Sequence, residues 1–498
     1  MRAPVPRWLL ATAVLLAAGP AAGQGLPFLF VEPDVAAPEG PLPAFRPITD
    51  SARLERLRGW AGNEAASFAA EVYRLAWRTA QVPGPASTPE RLVIAVEPDG
   101  ASSDVGLRLR DGDGWQEWPR APFLRLDEDA RRLAAVLLHE TGHACLTLLS
   151  GGQPPPGRAI APIPHALSAL TDRTTAFGEG FAIALEAVLA QRAVAPALRS
   201  QFHHDELLFG VTSRMLGEYF RPSAQLVSYA QPQARFQDVR DNTFAFVSAW
   251  RGADYLRAQL DPARDFATLR DANQLVQSEG YAASVFYALI MRGSRSDFET
   301  VLVRLESLMQ AAQEVLRRPG LGPDTPLLLD VVLALARRSE SERREVLAVL
   351  LDTSRGVLVD RDAAAMWRRH YLAALRQDLD RLELDAINTA RARWLAAALA
   401  DPGLLLSRLG PQLPCVVDAV TISLPGMGVE APLGFDLNTA EEGVLRAIPG
   451  ISDAEVARWL AEREQSPFAS GSDFQGRVAL RPQVAATLRY HRQPSDPR

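Results

Sequence analysis

The stretch LAAVLLHETGHACL, residues 133–146, decides the fold, because two histidines and a glutamate interrupt an otherwise apolar run. Acidic residues at 127–129 precede this stretch, and the glycines at 151–152 follow it. Acidic side chains favour the positive end of a helix and glycines favour its termination, so the pattern predicts one helix between them. Residues four positions apart share a helical face, which places His139 and His143 on the same side.

The two histidines predict a metal site. Imidazoles at this spacing bind zinc, and Glu140 lies beside them, where its carboxylate can take a proton from a zinc-activated water. The alternative is a helix with incidental polar residues, but burying three polar groups in an apolar helix without a partner is costly. We therefore expect Zn²⁺ bound by His139 and His143, with Glu140 as the general base.

A third ligand distinguishes the classes of zinc peptidase. Metzincins need a glycine and a histidine after the second histidine, but Leu146 and Leu149 occupy those places. A glutamate on a following helix is the other common solution, and Glu179 offers one. Residues suited to capping this helix, or to letting it approach the metal helix closely, surround Glu179: Thr174, Thr175, Gly178 and Gly180.

The motif HETGH at 139–143, followed by EGFA at 179–182, resembles the gluzincin clan of zinc metallopeptidases. The resemblance implies His139, His143 and Glu179 as zinc ligands, Glu140 as the base, and hydrolysis of peptide bonds as the reaction. It also implies a small sheet before the metal helix, whose edge strand, within residues 91–126, binds extended substrate.

The gap between His143 and Glu179 is longer than is usual for that clan and contains the Gly/Pro-rich loop 151–164. Two further residues therefore stay open as candidates. Glu186 is either an alternative ligand or a carboxylate that supports a ligand, and His165 fits a loop histidine better than a ligand.

Two other polar clusters have both a functional and a structural interpretation. The sequence SEGYA at 278–282 repeats the Glu-Gly-aromatic-Ala pattern, so Glu279 and Tyr281 either line the cleft or belong to a capped core helix. The sequence HHDE at 203–206 suits a solvated surface better than a second metal site. Neither cluster identifies the group that stabilises an oxyanion.

The composition excludes several classes of function. The chain has 498 residues and a net charge of −6, and all 53 of its basic residues are arginine. Without lysine it cannot be a Schiff-base enzyme or carry a lysine-bearing phosphate loop. A mildly acidic balance also argues against a general nucleic-acid binder.

The N-terminus predicts export. A basic start, an apolar run from residue 8 and small residues near 20–23 suit a secretory signal peptide over 1–23, and an uncleaved anchor is the alternative. No later stretch is long and apolar enough to span a membrane, so we expect a periplasmic or secreted protein. Cys145 and Cys415 either pair or remain as two buried thiols.

The expected fold is α+β and mostly helical. After a Pro-rich linker or arm at 24–49, a zincin-like core at 50–200 starts with a helix from about 50 to 80 and contains a small sheet. Its predicted strands are 92–96, 105–109, 115–118 and 122–126, with a hairpin turn at 111–114. A large helical domain at 201–400 and a connector at 401–434, with a strand near 416–423, complete the main body.

Residues 435–498 predict a small module. A capped helix over 441–447, a turn at 448–453 and a second helix resemble the helix-hairpin-helix modules of competence-type DNA receptors and of some secretion-system minor pilins. In DNA-binding versions hairpin amides grip a phosphate with the help of a second glycine, whose place Ser452 takes here. Because the charges nearby are mixed, we expect a structural or protein-contacting role rather than DNA binding.

The leading hypothesis is therefore an exported zinc metallopeptidase that acts on a protein or peptide substrate. The alternative is an exported binding protein that uses its helix-hairpin-helix module to bind a protein or DNA partner, with a structural or vestigial zinc site.

Overall fold

The computed structural model describes residues 27–80, 89–129, 133–155, 172–195, 246–248, 264–269, 275–292, 297–322, 325–338, 340–354, 381–400, 415–424, 429–438 and 450–485, with single positions at 198, 356, 358, 442 and 445 and the pair 489–490. The expected signal peptide, His165 and the cluster at 203–206 lie outside these residues. So does most of the expected helix at 441–447.

The N-terminal sheet is a closed five-stranded barrel with the strand order β1-β2-β4-β5-β3. Its strands are β1 (Phe28–Pro33), β2 (Ala44–Pro47), β3 (Leu92–Val96), β4 (Ala101–Asp111) and β5 (Gly114–Leu126). Three pairs are parallel, β1 with β3, β2 with β4 and β3 with β5, and the other two are antiparallel. The fold is thus α+β with a small N-terminal sheet, as the sequence predicts.

The segment expected to be a linker or arm, 24–49, contributes strands β1 and β2 instead. Phe28 and Phe30 pack against the helices, whereas Val31 and Phe45 point into the barrel. The prolines that suggested a linker do not prevent pairing, because Pro33 and Pro47 are the last residues of their strands.

The strands predicted at 115–118 and 122–126 are one long strand, β5, which pairs with β4 along its length. The turn between β4 and β5 contains Gly112, whose φ of +59° suits glycine. The open sheet edge expected within 91–126 is reduced by closure of the barrel. Among the described residues, the first part of β4, Ala101–Val105, has no strand paired on the side away from β5, and residues 114–122 of β5 have none on the side away from β4.

The helix predicted from 50 to 80 is two helices, α1 (Ser51–Ala61) and α2 (Glu64–Ala80). Gly62 ends the first helix, and the side chain of Asn63 accepts a hydrogen bond from the Ala66 amide at the start of the second. Seven further helices follow before residue 400 in the described part of the chain. They are α3 (Leu133–Leu149), α4 (Arg173–Arg192), α5 (Glu279–Met291), α6 (Phe298–Leu316), α7 (Leu327–Arg338), α8 (Glu340–Thr353) and α9 (Arg381–Ala398).

Helix α3, which carries His139 and His143, lies at the centre of this arrangement. It packs against α2 and α4 and against strands β4 and β5, while α5 packs against α4. Gly152, just past the end of α3, has a φ of +88°, and a Cβ there would lie 2.5 Å from the Cβ of Arg120. Glycine is therefore required where the chain leaves α3 and passes over β5.

Two small sheets lie outside the barrel. Strands β6 (Phe246–Ser248) and β7 (Arg264–Leu269) pair within the region expected to be helical. The strand predicted near 416–423 is β8 (Cys415–Leu424), which pairs with β9 (Val429–Asp436) and with the short strand β10 (Arg489–Tyr490).

The C-terminal module contains three described helices, α10 (Asp453–Gln465), α11 (Gly471–Val478) and α12 (Pro482–Ala485). Trp459, Phe468 and Phe474 form its aromatic centre, and the Trp459 indole donates a hydrogen bond to the Leu437 carbonyl. Among the described residues, no helix is both long enough and apolar enough to cross a membrane.

Candidate metal centre

The two histidines of α3 both direct their Nε2 atoms toward one position. The Nε2 atoms of His139 and His143 are 3.2 Å apart, and the rings are tilted at 72° with their centroids 4.9 Å apart. The i, i+4 spacing on one helical face produces this convergence, as the sequence predicts. Both side chains are about one quarter exposed, so a solute can reach them from one side.

Glu179 completes the cluster from the neighbouring helix α4. Its carboxylate oxygens lie 3.1 Å from Nε2 of His139 and 3.5 Å from Nε2 of His143. One ligand atom from each of the three residues lies within 4.8 Å of the others. Tetrahedral ligands bound to zinc at about 2.0–2.1 Å are about 3.3–3.4 Å apart, so these separations fit a zinc ion.

Small residues let the two helices approach, but at a different place from the one expected. A Cβ on Gly142 would lie 2.8 Å from the Cα of Ala182, so α3 and α4 are closest there. Gly178 faces His143 at an ordinary contact distance of 3.9 Å, whereas Gly180 faces α5, where a Cβ would lie 2.4 Å from the Cβ of Ala282.

The cap of α4 also differs from the expectation. Asp172, rather than Thr174 or Thr175, is the N-cap residue, and its carboxylate accepts hydrogen bonds from the Thr175 amide and hydroxyl at 2.9 and 2.7 Å. Thr174 instead donates its hydroxyl to the Gly322 carbonyl at 2.9 Å. Aspartate caps a helix as well as threonine does, and its position two residues before Thr174 was the signal available in the sequence.

Glu186 contacts the opposite nitrogen of His139. Its Oε1 lies 2.9 Å from Nδ1 of that ring, and it stands seven residues after Glu179, two turns along the same face of α4. A carboxylate at Nδ1 holds a ring proton there and orients the ring so that Nε2 is directed at the cluster. Of the two roles left open by the sequence, this geometry matches the supporting carboxylate.

The electrostatics of the cluster favour a cation. Burial on its own would lower the pKa of His139, but its hydrogen bonds to Glu179 and Glu186 raise that pKa well above its ordinary value. Burial would raise the pKa of Glu179, but its hydrogen bonds to His139 and His143 hold that pKa well below the ordinary value. A positive charge is thus stabilised between the carboxylates, which is the charge that a metal ion supplies.

Other residues singled out from the sequence lie on α3 and at the start of α5. Glu140 is half-buried next to His139 on α3. Glu279 and Tyr281 are fully buried at the start of α5, behind Ser278, whose side chain caps that helix. This placement agrees with the capped core helix rather than with residues lining an open cleft. Cys145 is a free, buried thiol 3.8 Å from the Val72 carbonyl oxygen.

Comparison with known proteins concerns a different part of the chain. Residues 435–489 match the family model described as type II secretion system (T2SS), protein K. No curated protein and no solved structure matches the chain. The family match covers the C-terminal module and none of the residues around His139.

Proposed function

We propose that the chain is an exported zinc-dependent peptidase, in which His139, His143 and Glu179 hold the metal and Glu140 acts as the general base. The observation that carries this proposal is the convergence of three ligand atoms at separations of 3.1 to 3.5 Å. The resemblance of the two motifs to gluzincins supports the same ligand set.

The number of ligands supports a catalytic rather than a structural site. Structural zinc sites are closed by four protein ligands, whereas catalytic sites keep a position for water or substrate. Among the described residues three side chains converge, and the two imidazoles are about one quarter exposed. The exposed side of the cluster therefore leaves a coordination position at which water or substrate could reach a bound metal ion.

Each side chain has a defined task in this proposal. Zinc, when bound, would increase the acidity of water and polarise the scissile carbonyl. Glu140 would orient the attacking water, accept its proton and return that proton to the leaving amine nitrogen. Glu186 would hold the ring of His139 in the orientation that directs Nε2 to the metal.

The family match supports a location and a second candidate function. A module similar to protein K of a type II secretion system fits a protein associated with the cell envelope or periplasm, in agreement with the expected signal peptide. It also supports the binding-protein alternative, in which the module contacts protein partners and the metal site is structural or vestigial.

The experiment that tests the peptidase compares cleavage of casein and of a peptide library by wild type and by Glu140→Gln. Loss of the general base is expected to lower kcat by about 10²- to 10⁴-fold while zinc content is unchanged. Glu299→Gln, an isosteric change on the exposed surface of α6, serves as the matched control. Equal cleavage by wild type and Glu140→Gln would contradict the catalytic proposal.

A further inference from the structure

The turn at Gly450 and the helix that follows it form an arrangement suited to an anion. Backbone N–H groups at a helix N-terminus carry a partial positive charge and point toward any anion placed there. Gly450 has a φ of +76°, which turns the chain sharply into α10. Arg481 lies against this turn, and its guanidinium donates a hydrogen bond to the Gly450 carbonyl.

The carboxylate of Glu455 fills this position from within the chain. Its Oε2 accepts hydrogen bonds from the Ser452 amide at 2.8 Å and from the Ser452 hydroxyl at 2.7 Å. Its Oε1 accepts from the Arg481 amide at 2.9 Å, and the Arg481 guanidinium nitrogens lie 2.9 to 3.2 Å from the two oxygens. The Glu455 side chain is only 5% exposed.

These donors are the ones that a phosphate would use. Two backbone amides, one hydroxyl and an arginine fork are the groups that bind phosphate oxygens in proteins. The hydrogen bonds from Arg481 also hold the pKa of the Glu455 carboxyl far below its ordinary value, so the group remains ionised. The hairpin, meaning the turn at Gly450 and the start of α10, therefore already contains an anion, the Glu455 carboxylate, which is hydrogen-bonded to Ser452 and Arg481.

Other arginines of the module already have partners within the chain, so little positive charge remains to bind a second anion. The guanidinium of Arg477 binds Glu462 and Asp473, and that of Arg458 donates to the Val478 carbonyl. Acidic residues are at least as numerous as arginines over 450–485, which contains Asp453, Glu455, Glu462, Glu464 and Asp473 against Arg458, Arg463, Arg477 and Arg481. Binding to a nucleic-acid backbone needs a positive excess.

We propose that Glu455 is the resident anion of this hairpin and closes it to the phosphates of nucleic acid. Removing the carboxylate uncovers a phosphate site made of Ser452, Arg481 and the start of α10. Together with the match to a secretion-system protein over 435–489, this favours a protein as the partner of the module. The proposal concerns the module alone and does not depend on the peptidase.

Glu455→Ala in the full chain tests this proposal, with inorganic phosphate and a DNA duplex as probes. Glu464→Ala removes the same charge from the exposed end of the same helix and is the matched control. Phosphate is expected to raise the Tm of Glu455→Ala by about 2 °C or more beyond its general salt effect on wild type and on Glu464→Ala. An equal response in all three proteins overturns the proposal.

A second measurement uses the unmodified protein and does not require that Glu455→Ala folds. In wild type, peptides containing Ser452 and Arg481 are expected to exchange their amide hydrogens slowly, and neither phosphate nor the duplex is expected to change that rate. If the duplex slows exchange in those peptides at physiological salt, the hairpin is open to nucleic acid and the proposal is wrong.

Discussion

The two ring nitrogens of His139 have different partners, and the proposed metal centre depends on this difference. Nδ1 lies 2.9 Å from Glu186, whereas Nε2 faces Glu179 and His143. Since the carboxylate of Glu186 keeps a proton on Nδ1, a metal ion that displaces the other ring proton would bind at Nε2. A hydrogen-bonded carboxylate at this position also makes the ring a stronger ligand.

Glu186→Ala is therefore expected to weaken zinc binding by about 10- to 100-fold, because the ring of His139 loses the group that orients it. Glu186→Gln keeps a hydrogen-bond acceptor and is expected to lose less. Competition with a zinc-binding dye measures both constants. Unchanged affinity in Glu186→Ala would show that the ring is held by other contacts.

The ligand set also depends on how closely helices α3 and α4 pack. Gly142 of α3 stands against the backbone of Ala182, and the two residues come three positions after His139 and Glu179, respectively. A side chain at this position cannot be absorbed by a rotamer change, because the atom it meets is main chain. The separation of the two helices is thus determined by a residue inside the motif itself.

Gly142→Ala is expected to destabilise the fold by about 1–3 kcal/mol through overpacking and to reduce zinc affinity by separating the ligands. Two glycine-to-alanine controls distinguish this from a general effect. Gly178 has only ordinary contacts at 3.9 Å or more, and Gly59 has no neighbour within 4 Å. Thermal unfolding and zinc titration should show both controls close to wild type or more stable.

Glu455 makes the stability of the hairpin depend on pH. Its pKa in the folded protein lies below the ordinary value of 4.5, so the stabilisation is complete above that value and decreases as the pH falls below it. The difference in hairpin protection between wild type and Glu455→Gln should therefore shrink between pH 6 and pH 3. Glu464→Gln, measured by the same hydrogen exchange, should differ little from wild type throughout.

Local patterns predicted some elements well and failed where long-range pairing decides. The helical face of His139 and His143 and the continuously apolar strand at 92–96 follow from residues close in sequence. Strand β1 forms because it pairs with β3, more than sixty residues later, and no local pattern reports that partner. The role of Glu186 likewise required the position of α4 against α3, which only tertiary packing determines.

The helices that carry the proposed metal centre and the C-terminal module have separate hydrophobic cores. Among the described residues, the large core around α3 does not include Trp459, Phe468 or Phe474, which pack on one another within the module. A mutation that disrupts one hydrophobic core should therefore leave the structure and metal content of the other part unchanged.

Trp459→Ala is expected to unfold the module, because removing a fully buried tryptophan costs about 3–5 kcal/mol. Zinc content and any peptidase activity should stay at the wild-type level. Hydrogen exchange would report the loss of protection over 450–485, and metal analysis of the same sample would report the centre. Joint loss of both would show that the two hydrophobic cores are energetically coupled.

If His139, His143 and Glu179 form one zinc site, elemental analysis of the purified full chain will detect it. Wild type and Glu140→Gln should each contain about one zinc per chain after equilibration with zinc and removal of excess metal, while His143→Ala and Glu179→Ala should contain little. A wild-type protein without zinc, or a full zinc content in both ligand variants, would show that these three residues do not form a zinc site.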